Sequence, residues 1–293
     1  MLKAATTAVG GAVAGCGQPN PEALPVASAS ESGSPQPLVF ISHGSPMVGV
    51  EKDPYTKALR RMGEDLPLPR AIVVVSAHWE SSAPIRVTGS EKPKLVYDFS
   101  GFPEELYELR YPSPGNPDLG REIVERVSQA GFEAKLDPNR GLDHGAWIPM
   151  IHAYPDAKVP LLEMTLPVPR SAPELLKLGQ ALAPLRRQGV LLVGSGGVVH
   201  NLGRLHWDDK NAPVDPWARR FDDWIRARLE KKEVEQIRDY AAAAPESKLA
   251  VPTSEHFDPL FFVLGASSEA DRVVDVYEGF HYGNLSMRSF ILR

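Results

Sequence analysis

From Leu38 onward, short unbroken apolar runs alternate with stretches whose apolar residues recur every three to four positions. Leu38-Val39-Phe40-Ile41, Ala71-Ile72-Val73-Val74-Val75, Val159 to Leu166 and Val190-Leu191-Leu192-Val193 are apolar and mostly β-branched, without polar alternation. That pattern predicts strands buried on both faces. Between them, helices are predicted from Asp118 to Gln129, opened by Asn116-Pro117 and closed by Gly131, from Ala172 to Arg187, and from Pro216 to Lys231. Asp258 to Leu264 also reads as helix, and Leu285 to Leu292 as a closing strand. Strands alternating with helices argue an α/β fold, a single domain over 38–293 with a largely parallel or mixed central sheet flanked by helices.

Ligands of such folds bind beyond the carboxyl ends of the strands. The first predicted strand runs into His43-Gly44-Ser45-Pro46, the second into Ser76-Ala77-His78-Trp79-Glu80, and a later one into Gly194-Ser195-Gly196-Gly197-Val198-Val199-His200-Asn201. One histidine so placed is more often structural, but three in equivalent positions point to a site. The glycines before His200 suit a loop that approaches a ligand closely or needs positive φ. A phosphate loop would need a lysine that is absent. His144, in Leu142-Asp143-His144-Gly145, and His256, in Ser254-Glu255-His256-Phe257, sit at helix starts, where presentation to a pocket and helix capping explain them almost equally well. His152 and His206 read as structural, and His281 is undecided. Asp143 and Glu255 each precede a histidine, but adjacent side chains usually point apart, so neither is expected to support its neighbour.

The chain has 293 residues, a hydrophobic fraction of 43% and a charged fraction of 24%, enough for a core without cross-links. A net charge of -5 gives no basic stripe for nucleic acid. The single cysteine, Cys16, rules out an intrachain disulfide and a cysteine-based zinc site, so a metal must be held by His, Asp or Glu. Imidazoles suit zinc, iron, copper and nickel, and three protein ligands with open positions signal catalysis. A serine hydrolase is disfavoured because no Gly-x-Ser-x-Gly elbow accompanies Ser45 or Ser195.

Residues 1–37 stand apart as an export-signal-like leader and linker. Met1 to Gly15 is small and weakly apolar, Val13-Ala14-Gly15-Cys16 is similar to a bacterial lipobox, and 17–37 is rich in Pro, Ser and Ala. The segment looks like the end of a twin-arginine signal whose arginines would lie upstream. The expected location is periplasmic or lipid-anchored through Cys16, or cytoplasmic if the segment is not a signal.

His-Gly-Ser-Pro, Ser-Ala-His-Trp, Asp-His-Gly, Ser-Gly-x-x-x-His-Asn and Glu-His-Phe-x-Pro-Leu occur in this order, together with Tyr97-Asp98-Phe99-Ser100-Gly101-Phe102-Pro103 and Tyr111-Pro112-Ser113-Pro114-Gly115. The set resembles the DOPA 4,5-dioxygenase branch of the class III extradiol ring-cleavage dioxygenases. Each motif is short, but their order over about 38 to 290 is specific. The resemblance implies a single α/β domain that opens a catechol ring with O₂ at a mononuclear iron(II), with zinc(II) possible in the same site. It implies His43, His78 and His256 as metal ligands, His200 as a fourth ligand or the acid/base, and His144 as a pocket histidine contacting substrate or dioxygen. Family members are usually cytoplasmic, so the leader is a departure. Two rival readings remain at this stage: a zinc-dependent hydrolase on the same histidines with Glu80 or Glu255 as base, and a binding protein that retains the fold without turnover.

Overall fold

The apolar runs become strands because they can be covered on both sides. In β1 (Leu38–Ser42), Leu38 and Phe40 face one core while Val39 and Ile41 face the other, and all four are fully buried. The same alternation holds in β2 (Ala71–Ser81), where Val73 and Val75 oppose Ile72 and Val74. Burying a side chain of this size stabilises the fold by roughly 1.5–3 kcal/mol, so these runs cannot sit at a surface. The remaining strands are β3 (Ile85–Thr88), β4 (Ala134–Asp137), β5 (Leu161–Pro167), β6 (Val190–Gly196), β7 (Val273–Tyr277), β8 (Phe280–His281), β9 (Leu285–Ser286) and β10 (Ser289–Leu292). The computed structural model describes residues 1–2, 34–169 and 171–293. The leader reading and Cys16 lie outside the described residues.

Eight strands form one mixed sheet in the order β4-β3-β5-β2-β6-β1-β10-β7, and β8 and β9 form a separate hairpin-sized pair. The central neighbours β5, β2, β6 and β1 run parallel, whereas β10 and β7 add an antiparallel edge. One face is covered by α1 (Pro54–Asp65) and α3 (His144–Ala153), the other by α2 (Pro117–Gln129), α4 (Ala172–Leu182), α5 (Pro216–Lys231) and α6 (Pro259–Ala266), with shorter helical turns between. The expected α/β architecture is therefore present. Parallel β2, β6 and β1 are adjacent, so their carboxyl ends open at one place.

Several expectations are corrected. The helix expected to Arg187 is α-helical only to Leu182 and continues as a 3₁₀ segment over Ala183–Gln188, because Pro184 lacks the amide that the next α-turn needs. The expected strand Leu285–Leu292 is two strands with different partners, β9 pairing β8 and β10 pairing β1. The break directs the fully buried Arg288 onto Asp222, 2.5 Å away, with Ser286 Oγ donating to the same carboxylate at 2.6 Å. Strands β3 and β4 and helix α1 escape the sequence reading, β4 because none of its residues is fully buried. His78 lies inside β2 rather than past its end, at a stretch where the register with β5 shifts between Val75 and Glu80. Two of the three glycines before His200 are strand rather than loop: Gly194 and Gly196 belong to β6 and pair with Phe40 and Ser42 of β1, while Gly197 lies just past the strand.

Candidate metal centre

Five histidines converge at the carboxyl edge of β1, β2 and β6. His43 follows β1 directly, its amide donating to Gly196 O and so extending the ladder. His78 comes from β2, and His144 is the first residue of α3, whose N-cap Asp143 accepts from the Ala146 amide. His256 lies in the turn before α6, and His200 in the segment after β6. Ring centroids separate His43 by 4.8 Å from His78 and by 5.3 Å from both His144 and His256.

Two glycines make this crowding possible. A side chain on Gly145 would place its Cβ 2.6 Å from Ser76 Oγ and 3.2 Å from both the His43 and His78 rings. A Cβ on Gly196 would collide with the carbonyl of His256, whose turn also receives the Gly197 amide. The β6 glycines thus admit a histidine-bearing turn rather than a ligand, which replaces the role expected from sequence.

Hydrogen bonds fix which ring nitrogen is free. Ser195 Oγ donates to Gly145 O at 2.6 Å, so toward His43 Nδ1, 2.9 Å away, it acts as acceptor. The His43 proton therefore sits on Nδ1, leaving an Nε2 lone pair. Glu255 Oε1 lies 3.1 Å from His256 Nδ1, and His256 Nε2 is buried with no hydrogen-bond partner. Asp98 Oδ2 is 3.0 Å from His144 Nδ1, off the line of a linear hydrogen bond, and 3.7 Å from His78 Nδ1; Asp98 Oδ1 accepts the His144 amide at 3.0 Å. His78 Nε2 and His43 Nε2 stand 3.0 Å apart. That is about the spacing of two nitrogens held roughly 2.1 Å from one ion at right angles. Carboxylates behind the rings and lone pairs in front are what a metal site needs, so these residues fit a divalent ion.

The electrostatics agree. Burial, then repulsion from neighbouring histidines, holds His43 well below the ordinary imidazole range and His78 at about 2. Burial likewise depresses His256, and it holds His200 at about 3 with help from His256. Glu255 is held at about 2 by its hydrogen bond to His256. Burial pushes the Asp98 carboxyl up, but its contacts with His144 outweigh this and bring it to about 2. Imidazoles neutral at pH 7 beside ionised carboxylates attract a cation.

His200 is placed differently. Its ring stacks on His256 with centroids 3.5 Å apart and planes within 7°. The stack sets the two rings side by side at the cavity wall, with ligand atoms of His200, Glu255 and His256 within 4.8 Å of one another. All five histidines line a cavity of about 430 Å³ that also reaches Asp98, Phe99, Phe102 and Trp207.

Sequence reasoning missed two supports. Glu255 does support His256, contrary to expectation, because the turn bends the neighbouring side chains together. Asp98 stood in a quoted motif without a role. Asp143, as expected, turns away from His144, accepting instead from Ser76 Oγ at 2.8 Å. His152 bonds Val48 O and His206 faces Asp215, both structural as expected. Glu80 is exposed and outside the cavity lining, so it is badly placed as a hydrolytic base.

Comparison with known proteins points the same way. The chain is 38% identical over 265 residues to a protein of Escherichia coli (strain K12) named 4,5-DOPA dioxygenase extradiol, covering 88% of this chain and 95% of that one. It is also 38% identical over 256 residues to one of the same name from Beta vulgaris, covering 86% and 94%. A crystal structure of an uncharacterized protein from Escherichia coli K12 superposes with a TM-score of 0.75 at 34% identity, covering 88% of this chain and all of that one. The family model described as the catalytic LigB subunit of aromatic ring-opening dioxygenase matches residues 37–288, so the chain belongs to the LigB family of ring-opening dioxygenases.

Proposed function

We propose that this enzyme cleaves a DOPA-like catechol outside its two hydroxyls with O₂, using one iron(II) held by His43, His78 and His256. The observation that carries the reading is the set of Nε2 atoms: those of His43 and His78 lie 3.0 Å apart, and that of His256 is buried with no partner among the described residues. The chemistry such an ion supplies is Lewis acidity toward the catechol oxygens and electron density for dioxygen.

The protein supplies position and protons. The cavity holds the ring against Phe99 and the histidine edges, excluding part of the bulk water. His200, neutral at pH 7 and stacked beside a ligand, is set to take a catechol proton at a free ring nitrogen. Its depressed basicity makes it quick to give that proton back. His144 turns Nδ1 toward Asp98 at 3.0 Å while its ring lines the cavity, where it contacts the substrate or dioxygen. The leader supports placing the enzyme outside the cytoplasm with lipid on Cys16; fatty-acid labelling should be lost in Cys16→Ala, and labelling that persists would refute the anchor.

The test of the activity is anaerobic loading with iron(II), then air and a panel of catechols including DOPA and protocatechuate. A yellow semialdehyde should form with iron(II), fail with zinc(II), and vanish in His43→Ala. An iron-loaded protein that opens no catechol would end the proposal.

A further inference from the structure

The histidine end of the cavity meets the catechol hydroxyls, but the substituent on the ring must meet the mouth. Among the described residues from 34 onward, three large apolar side chains are strongly exposed: Leu68, Leu202 and Trp207. Leu202 is 50% and Trp207 54% exposed, they belong to one loop, and both line the catalytic cavity. Scattered exposed apolar residues need no explanation, but two at one pocket mouth leave apolar surface where a ligand can cover it.

The loop that carries them is fastened from behind. Fully buried Asn284 donates through Nδ2 to Arg204 O at 2.7 Å and to Asp215 Oδ2 at 2.9 Å. The His206 amide donates to Tyr282 O, the Tyr282 amide to Lys210 O, and the Trp207 ring lies 5.5 Å from that of Tyr282. Trp207 is therefore a positioned wall.

The charge of the lining is one-sided. Among the described residues, the cavity is lined by no Lys or Arg, and its only carboxylate is Asp98, whose Oδ2 faces the His144 and His78 rings. The loop's two cations lie outside the lining, and Lys210 is bound between Glu51 at 2.5 Å and Asp53 at 2.7 Å. A substituent ending in a lone carboxylate would be desolvated here without a partner, which is costly. An ammonium would meet Asp98 and aromatic faces, an arrangement that favours cations.

Building on the catechol reading, we propose that Trp207 and Leu202, with Phe99 and Phe102, form the specificity rim of this enzyme. The rim selects catechols whose substituent is apolar or amine-bearing and rejects those whose substituent is only a carboxylate.

The experiment is anaerobic calorimetric titration of the iron(II)-loaded protein with 4-methylcatechol, 4-(2-aminoethyl)catechol and 3,4-dihydroxybenzoate. The first two should bind about tenfold or more tighter than the benzoate, a gap typical of one unpaired buried charge. Trp207→Ala should erase most of that gap by weakening the first two, and Trp207→Phe should keep it. Leu202→Arg, at a half-exposed position that folding tolerates, should move the preference toward the benzoate. Equal binding of all three by the wild type, or no change of ranking in Trp207→Ala and Leu202→Arg, overturns the rim while catechol cleavage stands. If none of the three binds the metal-loaded protein, the catechol reading falls and takes the rim with it.

Discussion

Among the described residues three groups offer metal-binding side chains in threes; two of them, His43-His78-His144 and His200-Glu255-His256, meet in one cavity, and the third, beside α1, lacks the character of a metal site. At the sheet edge, His43, His78 and His144 bring ring nitrogens within 4.8 Å of one another; beside α1, Glu51, Asp53 and His281 do the same. The cluster beside α1 already holds its cation, because the Lys210 ammonium sits on both carboxylates and His281 Nε2 lies 3.4 Å from Asp53. Its His281 is lowered to about 4 by burial and then by Lys210, so it adds no positive charge at pH 7. At the sheet edge, Ser195 stands behind His43 Nδ1 and Asp98 behind His144 Nδ1, and the neighbouring His256 has Glu255 behind its Nδ1. Residue count does not separate the two places. What separates them is what stands behind the rings and whether a fixed charge fills the centre.

The largest effect should come from the proposed ligands. His43→Ala or His256→Ala should empty the site and lower turnover more than about a thousandfold, beyond the ten- to hundredfold of a supporting residue. Metal analysis of the purified variants checks this, and full occupancy in either would remove that residue from the ligand set. His200→Ala should keep its metal while kcat falls by about 10² to 10⁴. Metal lost in step with activity would instead make His200 a ligand. Glu255→Gln should weaken metal affinity by about 10–100-fold, measured by chelator competition; an unchanged affinity would show the carboxylate to be idle.

The clusters should also differ in pH response. His43, His78, His200 and His256 are neutral in the fold with lowered pKa values, whereas the unfolded chain binds protons near pH 6.5. The unfolded state then binds more protons, so stability is present above that pH and is lost as pH falls below it. Metal-free protein should lose up to about 1.4 kcal/mol per pH unit per histidine between pH 6 and 5, read from denaturant unfolding. A flat profile would mean the rings are charged in the fold. Smallest should be Lys210→Met. It breaks a part-exposed cluster and should cost about 1 kcal/mol with metal content unchanged. Uptake of a second metal ion by that variant would show that Lys210 had been holding a true metal site closed.

Much of this was legible before any coordinates. The strand cores were readable because Val, Ile and Leu runs without polar interruption can only be buried on both faces. The five site histidines were singled out by their position after such runs and by ordered motifs. Glu255 was dismissed on the ordinary divergence of neighbouring side chains, and only the turn before α6 reverses that. The glycines of β6 were correctly marked as special but for the wrong partner, since what approaches them is the carbonyl of His256, about 60 residues away in sequence.

The sequence by itself determined the α/β class, the absence of cysteine ligands from the fold, and the histidines available to hold a metal, because burial and ligand chemistry are properties of residue types in local order. Only the tertiary structure decided which partner stands behind each ring, that His200 stacks on His256, and that Lys210 closes the cluster beside α1. Those depend on partners such as Ser195, Asp98 and Asp53, which lie far away along the chain. Their separation from the rings they govern carries no periodicity, and only the packing of β1, β2 and β6 against α1 and α3 brings them together.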